Sequence, residues 1–337
     1  MDTTVQPRSR VLQALAFQES DIRPYYVWID AAVAGPLAGW YGVPDVKDAI
    51  ITDHQVMREV TTLRRPLSAD TFMDDFGAVW RQGAALHVER PALREPSLAG
   101  YRFPDLTTDA HFAGLDAWLV QNARRFKIVQ LGMLFWERTW AMRGMEEIMM
   151  DLHFHPQFVD ALLDRLEEVC LAIIGRLARD FGDQIDAIGF SDDYGGQHTM
   201  LISPAHWRRF FKPHLRRLYD RIHAAGKYVY LHTCGHVTPI VGELVELGVD
   251  MLQPIQPESM DIFALKRDFG RDLCFAGGIS TQVTLPFGTP AQVRDETLRC
   301  LEIMGKGGGY VAAPAKPILP GVPLANAVAL LDVLGNQ

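Results

Sequence analysis

The sequence lacks the features of a membrane or secreted protein. No apolar run approaches the roughly 20 residues that a helix needs to cross a bilayer. The first residues, MDTTVQPRSRVLQALAF, do not have the charged, apolar and small-residue layout of a secretion signal. The chain has only four cysteines, and they are scattered at positions 170, 234, 274 and 300. Because such spacing is typical of reduced thiols, we expect a cytoplasmic protein without disulfides.

The chain also has fewer basic than acidic residues, 33 against 41. The formal net charge is −8, which argues against nucleic acid or an anionic membrane surface as a partner, since both require a basic face. No G-x-G-x-x-G motif follows a predicted strand, and its absence weakens a dinucleotide-binding hypothesis. The rest of the composition, 48 % hydrophobic and 22 % charged, is ordinary for a globular enzyme with a large core.

Short apolar segments alternate with helix-length segments along the chain. The segments KIVQLGML, AIGFS, KYVYLH, VDMLQPI, LCFAGGI and GYVAAPA have the composition of buried parallel strands. YYVWID near the start and one strand between residues 50 and 90 bring the expected number to eight. The pattern therefore predicts an α/β protein with a single (β/α)8 TIM-barrel domain over residues 1–337, and an open doubly wound sheet is the alternative. Residues 70–91 have no helical period, and we interpret them as a small β-hairpin excursion near the barrel mouth.

In a barrel of this kind the functional groups lie at the carboxyl ends of the strands. The candidates at those ends are Trp28, Asp30, Phe135, Trp136, Glu137, Asp193, Tyr194, Gln197, His198, His232, Cys234, Gln253, Gln256 and Lys316. We interpret the carboxylates of Glu137 and Asp193, the imidazole of His232 and the amine of Lys316 as catalytic candidates. Phe135 and Trp136 are expected to wall the pocket. The candidates for binding a substrate are Trp28, Asp30, Phe135, Trp136, Tyr194, Gln197, His198 and Gln256.

The stretch HTC at residues 232–234 is the strongest chemical signal. Alternate residues of a strand point to the same side, so His232 and Cys234 can face one point at the mouth. Imidazole and thiolate are ligands that zinc prefers, although two ligands do not make a site and a packed histidine beside an inert thiol is an equal alternative. By the same alternation only one of Asp192 and Asp193 can point into the mouth. The other would brace a neighbouring loop.

Several longer segments resemble the uroporphyrinogen decarboxylase superfamily over nearly the whole chain. These segments are FWERTWAMRGMEEIMMDL, the run from DDYGGQHTM to YVYLHTCG, VDMLQPIQP and FAGGISTQVTLPFGTP. The resemblance implies a (β/α)8 barrel. Heme-pathway members carry an arginine-rich R-Q-A-G-R-Y segment after the first strand. The corresponding segment here, WIDAAVAGPLAGWYG, has no arginine. Because a substrate with eight carboxylates needs cationic partners, uroporphyrinogen is a poor candidate for the substrate.

The other branch of the superfamily contains methyltransferases that use corrinoid proteins, thiols or other small acceptors. Its members bind zinc through H-x-C-G and a cysteine after the eighth strand. His232 and Cys234 match the first two ligands, but the third position is Lys316, and an ammonium group cannot ligate a metal. The resemblance therefore implies either that another group completes the site or that zinc is absent or weakly bound. The groups within reach are Asp193, Glu137, His198 and Cys274.

The site residues and the resemblance leave three alternative functions open. The first is methyl transfer from a small methylated substrate at a zinc site, with a thiol, a folate or a corrinoid partner protein taking part. The second is a metal-independent decarboxylase, in which Lys316 holds a substrate carboxylate and Asp193 or His232 moves the proton. The third is a barrel that binds a small ligand without catalysis. The sequence also leaves a homodimer open.

Overall fold

A computed structural model of the chain describes residues 6–49, 53–60, 63–83 and 86–337. Among these residues the strands are β1 (Gln55–Glu59), β2 (Arg65–Pro66), β3 (Thr71–Met73), β4 (Val79–Arg81), β5 (His87–Arg90), β6 (Phe126–Met133), β7 (Ala187–Ser191), β8 (Tyr228–His232), β9 (Met251–Ile255), β10 (Cys274–Ile279) and β11 (Tyr310–Pro314).

The helices, in chain order, are α1 (Pro7–Leu15), α2 (Ala31–Tyr41), α3 (Val46–Ala49), α4 (Leu115–Gln121), α5 (Phe135–Arg143), α6 (Met145–Phe154), α7 (Pro156–Phe181), α8 (Pro204–His206), α9 (Lys212–Ala224), α10 (Val241–Leu247), α11 (Ile262–Phe269), α12 (Thr284–Phe287), α13 (Pro290–Ile303) and α14 (Leu324–Gly335). A π-helix at Trp207–Phe211 leads into α9, and a 3₁₀ helix at Thr238–Ile240 leads into α10. No helix of the described ranges combines the length and the apolarity that a bilayer crossing requires.

Seven strands form one parallel sheet in the order β1-β6-β7-β8-β9-β10-β11. Every residue of β9, β10 and β11 is buried, as expected for strands that are covered on both faces. Ser191 pairs with His232, and His232 pairs with Gln253, so the ends of β7, β8 and β9 lie at one level. The predicted α/β architecture with a parallel sheet is confirmed.

One strand of the expected eight, predicted at residues 25–30, forms isolated bridges rather than a regular ladder. Tyr25 pairs with Ala312 beside one edge of the sheet, and Tyr26 pairs with Asp53 beside the other. The segment is short because Pro24 has no N–H to donate and α2 begins at Ala31.

The amphipathic segment from Met145 to Asp180 forms two helices, α6 and α7, because Pro156 cannot continue the hydrogen bonding of α6 and instead begins α7. One other expectation needs correction. The excursion predicted at residues 70–91 is a four-stranded antiparallel sheet, β2-β3-β4-β5, which already begins at Arg65. Residues 84 and 85 of that excursion lie outside the described residues.

The four-stranded sheet is fixed against α5 by an apolar cluster and by one carboxylate. Phe72 and Trp80 are buried against Ala141 of α5. The carboxylate of Asp74 accepts hydrogen bonds from Trp80 Nε1 at 3.0 Å and from Arg138 Nη1 at 2.9 Å. These contacts hold the sheet beside the strand ends, where the candidate residues lie.

Candidate metal and substrate site

Three side chains with metal-binding atoms converge beyond the ends of β7 and β8. His232 Nε2 lies 3.3 Å from Cys234 Sγ and 3.7 Å from Asp193 Oδ1. One ligand atom from each of the three residues lies within 4.8 Å of the others. Of the four groups that the sequence left open as a third ligand, the structure brings Asp193 to the pair.

A neighbouring amide fixes the orientation of the His232 ring. His232 Nδ1 lies 2.5 Å from Gln253 Oε1, and because an amide oxygen only accepts, Nδ1 carries the proton. The lone pair of Nε2 then faces Cys234 and Asp193. Burial lowers the pKa of His232 below its ordinary value, and Lys316 adds to this effect against the opposing pull of Asp193. The imidazole is therefore neutral, which is the form that binds metals.

The sulfur of Cys234 is protonated when no cation is bound to it. Burial and the charge of Asp193 together raise the pKa of the Cys234 thiol to about 12, against the opposing effect of Lys316. Asp193 also holds the loop, because its Oδ1 accepts the backbone N–H of Cys234 at 2.7 Å. A metal ion at this position would displace the thiol proton, since coordination stabilises a thiolate.

Lys316 approaches the same sulfur from the loop after β11. Its Nζ donates to Cys234 Sγ at 2.9 Å. Burial lowers the pKa of Lys316, but its hydrogen bond with Cys234 and the neighbouring carboxyl groups of Asp193 and Glu137 raise it above its usual value, so the amine stays an ammonium group. The Lys316 side chain is exposed, which leaves it free to turn toward solvent.

Two of the three distances among the donor atoms match the geometry of a zinc ion. Zinc bonds of about 2.0–2.3 Å in a tetrahedron place neighbouring ligand atoms roughly 3.3–3.8 Å apart. The distances from His232 Nε2, 3.3 Å to Cys234 Sγ and 3.7 Å to Asp193 Oδ1, fall in this range. Nitrogen, sulfur and carboxylate oxygen are also the atoms that zinc takes as ligands. The donor set is suitable, with the ammonium group of Lys316 as an opposing charge beside it.

Asp192 points away from this cluster and braces the start of α5. Its carboxylate accepts the backbone N–H groups of Phe135, Trp136 and Glu137, at 3.2, 3.2 and 2.8 Å, and the hydroxyl of Tyr194. One carboxylate thus satisfies the free donors of a helix N-terminus. The two adjacent aspartates face opposite ways, as strand alternation predicts.

Phe135, Trp136 and Tyr194 are core residues and do not line the pocket. Each is fully buried, with 0 % of its surface exposed. The Phe135 ring lies 5.4 Å from that of His214, and the Trp136 ring lies 6.1 Å from that of Phe211, between ring centroids. The expectation that these rings wall the pocket is wrong, because α5 begins directly after β6 and turns its first residues inward.

Other candidates hold loops near the site. Asp30 caps α2 by accepting the N–H of Ala32 at 2.8 Å. Gln197 donates to the carbonyl of Glu258 at 3.2 Å. Gln256 Oε1 accepts the N–H of the residue after Cys234, Gly235, at 2.6 Å, so it fixes the loop that carries the sulfur.

Two of the groups proposed as third ligands lie elsewhere. His198 is exposed in the loop after β7 and is not part of the donor cluster. Cys274 is fully buried at the first residue of β10, the opposite end of the strand from the mouth, and burial raises the pKa of its thiol to about 12. Its inclusion among the possible ligands was wrong, because a cysteine at the amino end of the segment LCFAGGI lies away from the carboxyl ends of the strands, where the donor cluster forms.

A cavity of about 290 Å³ lies between the strand ends and the four-stranded sheet. The residues that line it include Trp28, Glu137, Ser191 and His232 from the side of the parallel sheet, and Arg64, Phe72 and Trp80 from the four-stranded sheet and the residue before it. Glu137 accepts the hydroxyl of Ser191 at 2.5 Å. Burial raises the pKa of Glu137 to about 8, with a further contribution from Asp193, so this carboxyl group is protonated at neutral pH.

The comparisons with known proteins agree with this architecture. A model of the uroporphyrinogen decarboxylase (URO-D) family matches residues 138–336. Methylated-thiol–coenzyme M methyltransferase from Methanosarcina mazei is 24 % identical over 183 residues, which make up 54 % of this chain and 46 % of that protein. The matched region therefore spans about half the length of the curated relative.

Two solved structures were also compared. A methyltransferase from Methanosarcina mazei superposes with a TM-score of 0.71 and 18 % identity over 99 % of both chains, which shows a shared fold. A beta-glucanase from Saccharophagus degradans reaches a TM-score of 0.38 at 13 % identity, too low to support an argument. Because the family match covers more than half of the chain and includes the donor cluster, this protein belongs to the uroporphyrinogen decarboxylase family.

Proposed function

We propose that this protein is a methyltransferase that binds zinc through Asp193, His232 and Cys234. The observation that carries the proposal is the convergence of one oxygen, one nitrogen and one sulfur within 4.8 Å of one another at the strand ends. The curated relative and the matched solved structure are both methyltransferases, which supports the same reaction class. We also propose that the bridges of residues 25–29 close the sheet into a barrel with this site at its mouth.

The residues of the site have distinct parts in this proposal. His232 would bind the metal through Nε2 while Gln253 holds its Nδ1 proton. Zinc at this position would keep the sulfur of a small acceptor thiol deprotonated at neutral pH. Glu137 is protonated and lines the cavity, so it is the acid that gives a proton to the leaving group when the bond between that group and the methyl carbon breaks.

The size of the cavity favours a small methylated substrate. Its volume of about 290 Å³ is at the lower limit of small-molecule pockets, which begin at about 300 Å³. A tetrapyrrole with many carboxylates would need a larger and more cationic pocket. By its resemblance to corrinoid-dependent methyltransferases, the protein is expected to exchange methyl groups with a corrinoid partner protein or a folate.

Metal analysis and a methyl-transfer assay test this proposal together. We expect about one zinc ion per chain by mass spectrometry, and methyl transfer from free methylcobalamin to 2-mercaptoethanesulfonate. Cys234→Ser should lose both zinc and activity. Cys170→Ser is the matched control, because Cys170 lies on α7 outside the donor cluster. A zinc-free protein that keeps full activity would contradict the proposal.

One observation favours a second candidate, a carboxy-lyase that needs no metal. Lys316 Nζ lies 2.9 Å from Cys234 Sγ, where the resemblance implies a third metal ligand. In that case Lys316 would hold a substrate carboxylate, and Asp193 or His232 would move the proton. Release of carbon dioxide from a small carboxylate by chelator-treated protein, lost in Lys316→Leu, would support this candidate over methyl transfer.

A further inference from the structure

The cavity contains an arginine whose role the proposed reaction does not explain. Arg64 precedes β2 and lines the cavity, with its guanidinium carbon 4.7 Å from the centroid of the Phe72 ring. Within the described part of the chain it has neither a hydrogen bond nor an ion pair. A guanidinium group on an aromatic face is held in place by the cation–π contact while its N–H groups stay available.

The second arginine of the cavity is already paired with a carboxylate. Arg138 is 7 % exposed, donates to Asp74 at 2.9 Å and stacks on the Phe76 ring at 4.2 Å. Asp74 is in turn saturated, because it also accepts from Trp80 Nε1 and from the backbone N–H of Ala78. This pair is therefore part of the structural contact between the excursion and α5.

The remaining carboxyl groups of the cavity compete weakly for Arg64. Glu137 is protonated at neutral pH, since burial raises its pKa to about 8. Glu59, at the end of β1, has a pKa that is raised by desolvation against the opposing attraction of Arg138 and Arg64. Among the described residues, Arg64 is thus the cavity arginine that no carboxylate binds. The other charged or titratable groups of the lining are Glu59, Glu137, His232 and the Arg138–Asp74 pair, and its aromatic walls are Trp28, Phe72 and Trp80.

We propose that the cavity selects a small methylated substrate that carries a carboxylate, and that Arg64 binds this carboxylate. The inference rests on the proposed function, because it takes the cavity beside His232 as the substrate pocket. The planar fork of a guanidinium group matches a carboxylate with two parallel hydrogen bonds. The apolar body of the substrate would contact the rings of Trp28, Phe72 and Trp80, which fixes the position of its methyl group relative to the donor cluster.

Calorimetric binding of two probes tests this inference without any methyl acceptor. The probes are 3-methoxybenzoate and 3-methoxybenzyl alcohol, which share the ring and the methyl ether but differ in charge. The wild-type protein should bind the carboxylate about tenfold more tightly than the alcohol. Arg64→Gln should abolish that preference and leave the alcohol unchanged, and Arg64→Lys should keep part of it because the charge remains.

Arg65→Gln is the matched control. Arg65 is the next residue, on β2, with its Nη2 3.0 Å from Met73 Sδ, and it does not line the cavity. This variant should keep the full preference for the carboxylate. Three results would each overturn the inference. The wild type could bind both probes equally, it could bind neither probe, or Arg64→Gln and Arg65→Gln could lose the preference for the carboxylate to the same extent. An Arg64-dependent preference in a protein without methyl-transfer activity would uphold it while contradicting the proposed function.

Discussion

Replacement of Lys316 is expected to strengthen zinc binding. Its ammonium group lies 2.9 Å from Cys234 Sγ, so an ion bound to that sulfur at about 2.3 Å would lie roughly 5 Å from the ammonium nitrogen. Uptake of Zn²⁺ with release of the thiol proton adds one net positive charge to the site. Lys316→Leu removes the charge that opposes this change.

The magnitude follows from Coulomb's law. Two unit charges about 5 Å apart repel by about 0.8 kcal/mol in water and by about 3 kcal/mol at an effective dielectric constant of 20. Lys316 is exposed, so solvent screening places the effect near the lower value. We expect Lys316→Leu to bind zinc about fourfold more tightly. Lys316→Cys should bind it tighter still, because a further protein ligand is added at the position where the family resemblance implies one.

The assay is competition for zinc with a chelator of known affinity at constant pH. Lys316→Arg is the control, since it keeps the charge and adds no ligand, and its zinc affinity should stay close to that of the wild type. If Lys316→Leu binds zinc more weakly than the wild type, the ammonium group supports the bound thiolate instead of opposing the metal. That result would refute the electrostatic reasoning.

Three further predictions concern the surroundings of the cluster. The pKa of Glu137 is raised to about 8 in the folded protein, so the folded state keeps a proton that the unfolded chain loses above about pH 4.5. The free energy of unfolding therefore falls by up to about 1.4 kcal/mol per pH unit between these two pH values. Glu137→Gln should flatten this decline in urea unfolding from pH 5 to 8, and an unchanged slope would contradict the assignment. Asp192→Ala should destabilise the protein by about 3 kcal/mol, since the backbone N–H groups at the start of α5 lose their acceptor. Asp192→Asn should destabilise it less. Equal urea midpoints for Asp192→Ala and the wild type would count against this role. Gln253→Ala should weaken zinc binding about tenfold or more, because His232 loses the partner that orients it, and an unaltered affinity in the chelator competition would argue against that function.

The strands were predictable because they are buried on both faces. Such strands appear in the sequence as continuous apolar runs, and AIGFS coincides with β7 at Ala187–Ser191. The excursion was underestimated because its strands contain only two to four residues and form no detectable period. Residues 25–30 have the composition of a strand, but only the structure reveals that their pairing is limited to isolated bridges.

The donor cluster was partly predictable for a geometric reason. A period of two along a strand brings His232 and Cys234 to one side, and it separates Asp192 from Asp193. The direction in which a helix leaves a strand end is not encoded in such a period, which is why Phe135 was misplaced. Contacts between distant segments are equally hidden.

Arg64 and Gln253 illustrate those hidden contacts. Arg64 gains its importance from the Phe72 ring of a strand too short to recognise, and the hydrogen bond that Gln253 accepts from His232 depends on the register of β8 and β9. Both are properties of tertiary packing, and although Gln253 lies in the segment VDMLQPIQP, the sequence does not show which side chain it contacts.

X-ray absorption at the zinc K-edge of the purified protein tests the central claim most directly, namely that Asp193, His232 and Cys234 hold one metal ion together. The account predicts a single sulfur at about 2.3 Å with nitrogen and oxygen neighbours at about 2.0–2.2 Å. The sulfur contribution should disappear in Cys234→Ser. A coordination shell without sulfur in the wild type, or a spectrum that Cys234→Ser leaves unchanged, would contradict it.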